Sequence, residues 1–362
     1  MDPRIREHAS IIAEHSVDIK TGDNVIIDAG SVADDLVIAL NEEIGERGAN
    51  PIRMADRADK AALSAYKRHH DGEFDTPSHH LALMEETDVY IAIRGDMNVT
   101  EEADVPPEQN SAYSTAMKPI LSERLSKRWV LTQFPGSGNA QLAGMSTPAY
   151  ENFVWDAINK DWAEQRALQA QMVDLMDGAD EVRIVSGETT DLTMSIDGNP
   201  TLNDYAERNL PGGEVFTAPI PTSVDGTVLF DKPVYYQGRE VTNAQLTFEG
   251  GEVIDHHAEK NEAVLTQALE TDTGARRLGE LGIGMNRDID RFTYNMLFDE
   301  KMGDTVHLAI GRAYEDTVGD GNEQNDSAIH LDMIVDMSED SRIELDGEVV
   351  QRDGRFVFED GF

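Results

Sequence analysis

Between residues 24 and 54 a strand, a helix and a second strand follow one another directly, and that order constrains the fold more than any other feature of the chain. Asn24-Val25-Ile26-Ile27-Asp28 reads as a buried strand. Gly30-Ser31 leads into a helical pattern carrying Val32, Leu36, Ala39 and Leu40, closed by Gly45 and Gly48-Ala49-Asn50 before a second strand, Pro51 to Met54. Asp88 to Ile93 and Trp129-Val130-Leu131-Thr132 add further strands with helical stretches between them. Strands that alternate with helices predict an α/β domain built on a mostly parallel sheet covered on both faces.

From Thr147 to about Asp177 the pattern is helical, with Phe153, Val154, Ile158, Trp162, Leu168, Met172 and Leu175 apolar, and Gly178-Ala179-Asp180 ends it. Beyond lie short β segments joined by tight turns: Val182 to Ser186, Leu192 to Ile196, Ala244 to Phe248, and closing strands around Asp346-Gly347 and Asp353-Gly354. The expected division is an N-terminal α/β domain over 1–177 and a β-rich α+β domain over 178–362.

The 362 residues carry 70 Asp and Glu against 30 Lys and Arg, a net charge of −40, and no Cys. A sequence pI near 4.4 argues against nucleic acid as a partner, because a polyanion is repelled by such a surface. No stretch approaches the roughly 18 apolar residues of a membrane span, and Met1 to Glu7 leads into no signal-peptide hydrophobic region, so no membrane partner and a cytoplasmic location are expected. Without Cys there are no disulfides and no thiolate ligands, and any metal must be held by His and carboxylates. The acid excess is dispersed, as in Asn41-Glu42-Glu43 and Ser338-Glu339-Asp340, and looks like a halophile's surface. A single Asp or Glu is therefore ordinarily a solvated group.

Neither His-Glu-x-x-His, a phosphate-binding loop nor Gly-x-Ser-x-Gly occurs. Gly136-Ser137-Gly138 lacks the third glycine of a dinucleotide loop, and Asp320 to Asn325 has the wrong spacing for a calcium loop. The doublets His69-His70, His79-His80 and His256-His257 sit in polar, loop-like contexts and read as structural or surface residues. His307, within Thr305 to Ile310, and His330, within Ala328 to Val335, instead lie on segments that read as buried strands. The period of two puts His330 and Asp332 on one face, where they form either a core hydrogen bond or half of a cation site. Glu214, after Asn209-Leu210-Pro211-Gly212-Gly213, and Glu280, within Leu278-Gly279-Glu280-Leu281-Gly282-Ile283-Gly284, stand among residues that read as core.

In order, Asn209 to Pro219, Leu278-Gly279-Glu280, Leu297-Phe298-Asp299-Glu300-Lys301 with Thr305 to Tyr314, and Asn325 to Asp332 resemble the motifs of the aminopeptidase T / aminopeptidase S / PepS family. The likeness extends to Thr21 to Val25 and to Trp129 to Thr132 with Ala143 to Thr147. It implies a metallo-aminopeptidase acting on peptides with a free N-terminus, two divalent ions (zinc, cobalt or manganese) in the C-terminal domain, and a homodimer enclosing its active sites. Carried over motif by motif, Glu214, Glu280, His307, His330 and Asp332 are expected metal ligands and Tyr314 is expected at the metal centre; Glu280 is our choice for the bridging carboxylate and ranks ahead of Glu214 as the catalytic base, and Tyr314 would act there as a ligand or as a hydrogen-bond donor to the oxyanion. The acid-rich surface fits a salt-loving, archaeal-like member. The competing readings are another dinuclear hydrolase, such as a dipeptidase or amidohydrolase, a noncatalytic metal-dependent binding protein, and a purely structural acidic protein.

Overall fold

The computed structural model describes residues 1–55, 60–236 and 238–362, and the chain divides into two compact units: Met1–Lys160 with Ala206–Gly212, and Asp161–Tyr205 with Gly213–Phe362. The first unit is an α/β domain. Parallel strands Asn24–Ala29, Asn50–Met54, Val89–Arg94 and Arg128–Gln133 form its sheet in the spatial order second, first, third, fourth, and Asn209–Leu210 adds an edge strand beside the last. The first strand is buried from Val25 to Ala29, as the unbroken apolar run requires. Helix Asp34–Arg47 continues through Gly45 and stops at Gly48, whose φ of 71° supplies the left-handed residue of a helix C-terminus.

His8 lies fully buried in this unit. Its Nε2 is 2.8 Å from the Thr132 hydroxyl, which itself donates to the Leu210 carbonyl at 2.8 Å, and its ring meets Trp155 edge-on. Gly136 and Gly138 are packing glycines: a Cβ on Gly136 would lie 2.3 Å from the Asp96 carbonyl oxygen.

The helical stretch read as one segment is two helices, Thr147–Ile158 and Trp162–Met176. The division of the chain falls between them rather than after residue 177. Asp161 starts the second helix, its carboxylate accepting from the amides of Ala163 and Glu164. Met172 and Met176 then pack into the core of the second unit. Hydrophobic periodicity marks the helix but not the body against which it is buried.

The second unit contains an eight-stranded antiparallel sheet and a five-stranded one. The latter is a meander of β1 (Leu202–Asp204), β2 (Glu214–Thr217), β3 (Leu278–Gly284), β4 (Thr305–Gly311) and β5 (His330–Asp336), each antiparallel to the next. Alternation along these strands separates two chemistries. Val215, Leu281, Ile283, Val306, Leu308, Ile310, Leu331, Met333 and Val335 enter the hydrophobic core. Glu214, Glu280, His307, His330 and Asp332 occupy the alternate positions, on the other face. Among the described residues, no helix is long and apolar enough to cross a membrane.

Candidate metal centre

Register brings the polar residues of that face together. Glu214 pairs with Gly284 across β2 and β3, His307 with Gly282 across β3 and β4, and Asp332 with Ala309 across β4 and β5. A slip of one residue on any strand would turn its polar side chain into the core. Gly282 has a steric reason: a Cβ there would lie 2.0 Å from both Cε1 and Nε2 of His307, so the imidazole rests directly on the β3 backbone. Gly213, at a φ of 115° and packed against Asn286, turns the chain into β2 and delivers Glu214.

His307 Nε2 is 3.1 Å from Glu280 Oε1 and 3.4 Å from Glu214 Oε2, while His330 Nε2 is 3.3 Å from Asp332 Oδ1 and 3.8 Å from Glu280 Oε2. The two oxygens of Glu280 thus face two different imidazoles. Glu280, His307 and Asp332 each offer a donor atom within 4.8 Å of the others. His330 is oriented by its other nitrogen, Nδ1, 2.7 Å from the Arg312 carbonyl oxygen. Tyr314 follows β4 with its ring 4.9 Å from that of His330 and 6.4 Å from Phe216, and at 49% exposure it stands at the open side of the cluster.

This donor set fits a cation. Bonds of about 2.0–2.2 Å in a tetrahedral shell separate neighbouring donors by roughly 3.3–3.6 Å, the range about which the observed spacings fall. Glu214 Oε2 and Glu280 Oε2 are buried and accept no hydrogen bond, a costly state for carboxylate oxygens. Imidazole and carboxylate suit zinc, cobalt and manganese alike.

Electrostatics tell the same story. Burial raises the affinity of Glu214 and Glu280 for protons against the pull of neighbouring cationic groups. Asp332 goes the other way: burial opposes its ionisation, but His330, His307 and Lys301 outweigh it. Burial disfavours charge on both imidazoles, yet the carboxylates push His307 up to about 9 and His330 up to about 10. The cluster collects positive charge from whatever source is present.

Sequence reasoning assigned no role to Lys301, although its motif was in view. Its ammonium, with no exposure to solvent, lies 3.0 Å from Glu214 Oε1 and 3.7 Å from Asp204 Oδ2, and is also bonded to Glu300 Oε1. It sits in the short segment after helix Met296–Asp299, where no periodicity signals burial. Gln169, from helix Trp162–Met176, was missed as well: its Nε2 donates to the backbone carbonyls of Asp204 at 3.0 Å and Glu214 at 2.8 Å. The His doublets stay outside the cluster; His256 meets Thr266 and His257 meets Glu262.

The model of the family described as thermophilic metalloproteases, M29, matches residues 1–362. The chain belongs to the M29 family. Relatives of this M29 chain include Aminopeptidase AmpS of Bacillus subtilis, 25% identical with 98% of each chain covered, and Aminopeptidase T of Thermus aquaticus, 30% identical over 67% of this chain and 68% of the relative. Among solved structures, wild-type AmpT from Thermus thermophilus superposes with a TM-score of 0.85 at 23% identity, covering 98% of the M29 chain and 99% of AmpT, a likeness of fold. The combination expected from sequence, a parallel α/β domain followed by an antiparallel β-rich one, is the fold observed.

Proposed function

We propose that Glu214, Glu280, His307, His330 and Asp332 hold two divalent cations, zinc, cobalt or manganese, and that this centre removes the N-terminal residue from peptides with a free α-amino group. Membership of M29 over the whole chain, with aminopeptidase relatives covering 98% and 67% of it, makes the protein a metal-dependent aminopeptidase, a hydrolase of peptide bonds. The observation that carries the assignment to these residues is their convergence on one sheet face with two carboxylate oxygens left without donors.

A charge count supports a pair of ions. With both imidazoles neutral, as metal ligation requires, Glu214, Glu280, Asp332, Asp204 and Glu300 with the Lys301 ammonium carry four negative charges, which two divalent cations would neutralise and one would not. Cations in such a site supply Lewis acidity, polarising the scissile carbonyl and making water a competent nucleophile near neutral pH.

The residues supply the rest. Glu280 presents one oxygen toward each imidazole and is our bridging carboxylate. Glu280 is also the carboxylate that would take the proton of the attacking water and return it to the leaving amine. Partial burial of this half-exposed ring and the nearby carboxylates of Glu280 and Asp332 raise the proton affinity of the Tyr314 phenol, so its hydroxyl serves as a hydrogen-bond donor to the oxygen that gains charge. The acidic surroundings favour an α-ammonium over a blocked N-terminus. A homodimer in the cytoplasm of a salt-loving host completes this reading.

The test pairs elemental analysis with turnover. Chelation is expected to abolish release of free amino acid from an unblocked peptide, cobalt, zinc or manganese to restore it, and an N-acetylated peptide to be spared. Glu280→Gln is expected to fold and lose nearly all turnover. Full activity in exhaustively metal-free protein, or equal cleavage of the blocked peptide, overturns the proposal.

A further inference from the structure

A carboxylate has two equivalent oxygens, and a ligand free to use either can bind through one, bind through both, or swing away. Glu214 lacks that freedom. Its Oε1 lies 3.0 Å from the Lys301 ammonium, while its Oε2 is turned to within 3.4 Å of His307 Nε2 and accepts no hydrogen bond. The strand beneath is fixed independently, since the Glu214 carbonyl accepts from Gln169 at 2.8 Å. Lys301 is held at both ends. Its backbone carbonyl accepts from the Asn286 amide at 3.0 Å, and its ammonium is shared with Asp204, the cross-strand neighbour of Glu214, and with Glu300.

We propose that Lys301 is a positioning residue of the metal centre: by occupying Glu214 Oε1 it commits Oε2 alone to the cation. The inference rests on the metal-centre reading above and adds to it a group outside the ligand set. A lysine that only neutralised buried carboxylates would be replaceable by any change that kept the charge constant. A positioning lysine is not, because the loss of its contact frees a ligand oxygen even when the field is preserved.

The experiment is a cobalt(II) titration of metal-free full-length protein, followed by the visible absorption of the bound ion, which reports coordination number and geometry. Lys301→Met alone leaves three carboxylates facing one another and serves as the folding control, read by circular dichroism. The decisive variant is Lys301→Met with Glu300→Gln, which keeps the net charge, compared with Glu300→Gln alone and with the conservative Lys301→Arg. Partners that orient metal ligands typically contribute about 10–100-fold in affinity or activity. The double variant is therefore expected to bind one equivalent of cobalt(II) about 10–100-fold more weakly with an altered spectrum, and to lose kcat rather than raise KM. Glu300→Gln is expected to keep the wild-type spectrum, and Lys301→Arg to stay closer to wild type than the double variant. A double variant that matches Glu300→Gln in affinity and spectrum overturns the role of Lys301 and leaves the metal centre standing. Wild-type protein that takes up no cobalt(II) overturns the metal centre and this role together.

Discussion

Gly282→Ala is the smallest change that tests how the centre is built. The new methyl carbon would lie 2.0 Å from Cε1 and Nε2 of His307, whereas ordinary contact begins at 3.4 Å, so the ring must retreat by about 1.4 Å. It has nowhere to go without cost. His307 is fully buried, with Glu280 at 3.1 Å and Glu214 at 3.4 Å beyond it. Because Gly282 has no left-handed φ, an alanine strains nothing in the backbone itself, and the whole effect passes through the imidazole. Overpacking of this kind costs about 1–3 kcal/mol of stability. The functional cost is larger, because metal–ligand bonds tolerate displacements of only about 0.2 Å and an error of about 1 Å at a reacting centre can cost on the order of 10²-fold. The variant should therefore melt a few degrees early, bind zinc or cobalt(II) at least about tenfold more weakly, and lose about 10²-fold or more in turnover of an unblocked peptide. Isothermal titration of the metal-free variant, thermal melts and the peptide assay read these three quantities. Metal affinity and turnover within about twofold of wild type, in a variant that folds, would refute the claim that the ring position is set by the absent side chain.

Two further expectations concern stability. Burial pushes His8 down to about 3 from its ordinary 6.5, so the folded protein keeps this imidazole neutral while the unfolded chain protonates it. Between those values the unfolded state binds the extra proton, so stability falls with acidification by up to about 1.4 kcal/mol per pH unit, or about 2 kcal/mol from pH 6.5 to 5. Denaturant midpoints measured across that window should flatten in His8→Leu, and an unchanged slope would count against the assignment. The net charge of −40 predicts a second dependence. Salt shortens the screening length from about 10 Å at 0.1 M to about 3 Å at 1 M, so the melting temperature should rise over that range as carboxylate self-repulsion is screened. A flat or falling melting temperature would show that the dispersed acids do not destabilise the fold at low salt.

The parts of this protein written into its sequence are those set by local periodicity. The unbroken run Val25 to Asp28 marked a strand covered on both faces, the alternation along Thr305 to Ile310 and Ala328 to Val335 marked buried strands, and a period of two was enough to place His330 and Asp332 on one face. The ordered motifs picked out the segments whose polar side chains meet on one sheet face. What periodicity could not supply is distance between segments far apart in the chain. The approach of Glu214 to His307 depends on the register of three strands, and the need for Gly282 appears only when an imidazole is laid over it.

The same limit explains the boundary and the lysine. A helix pattern over Trp162–Met176 states which side is apolar, but the core that receives Met172 and Met176 comes from strands as distant as Phe356, so only the folded chain could decide which unit owns the helix. Lys301 is a cation in an acid-rich sequence, ordinarily a solvated group. It becomes a buried partner of Glu214 because β1 and β2 bring Asp204 and Glu214 side by side. Sequence fixes the face each side chain takes within its own strand or helix; tertiary structure fixes which faces meet, because that depends on register and close packing summed over the whole unit.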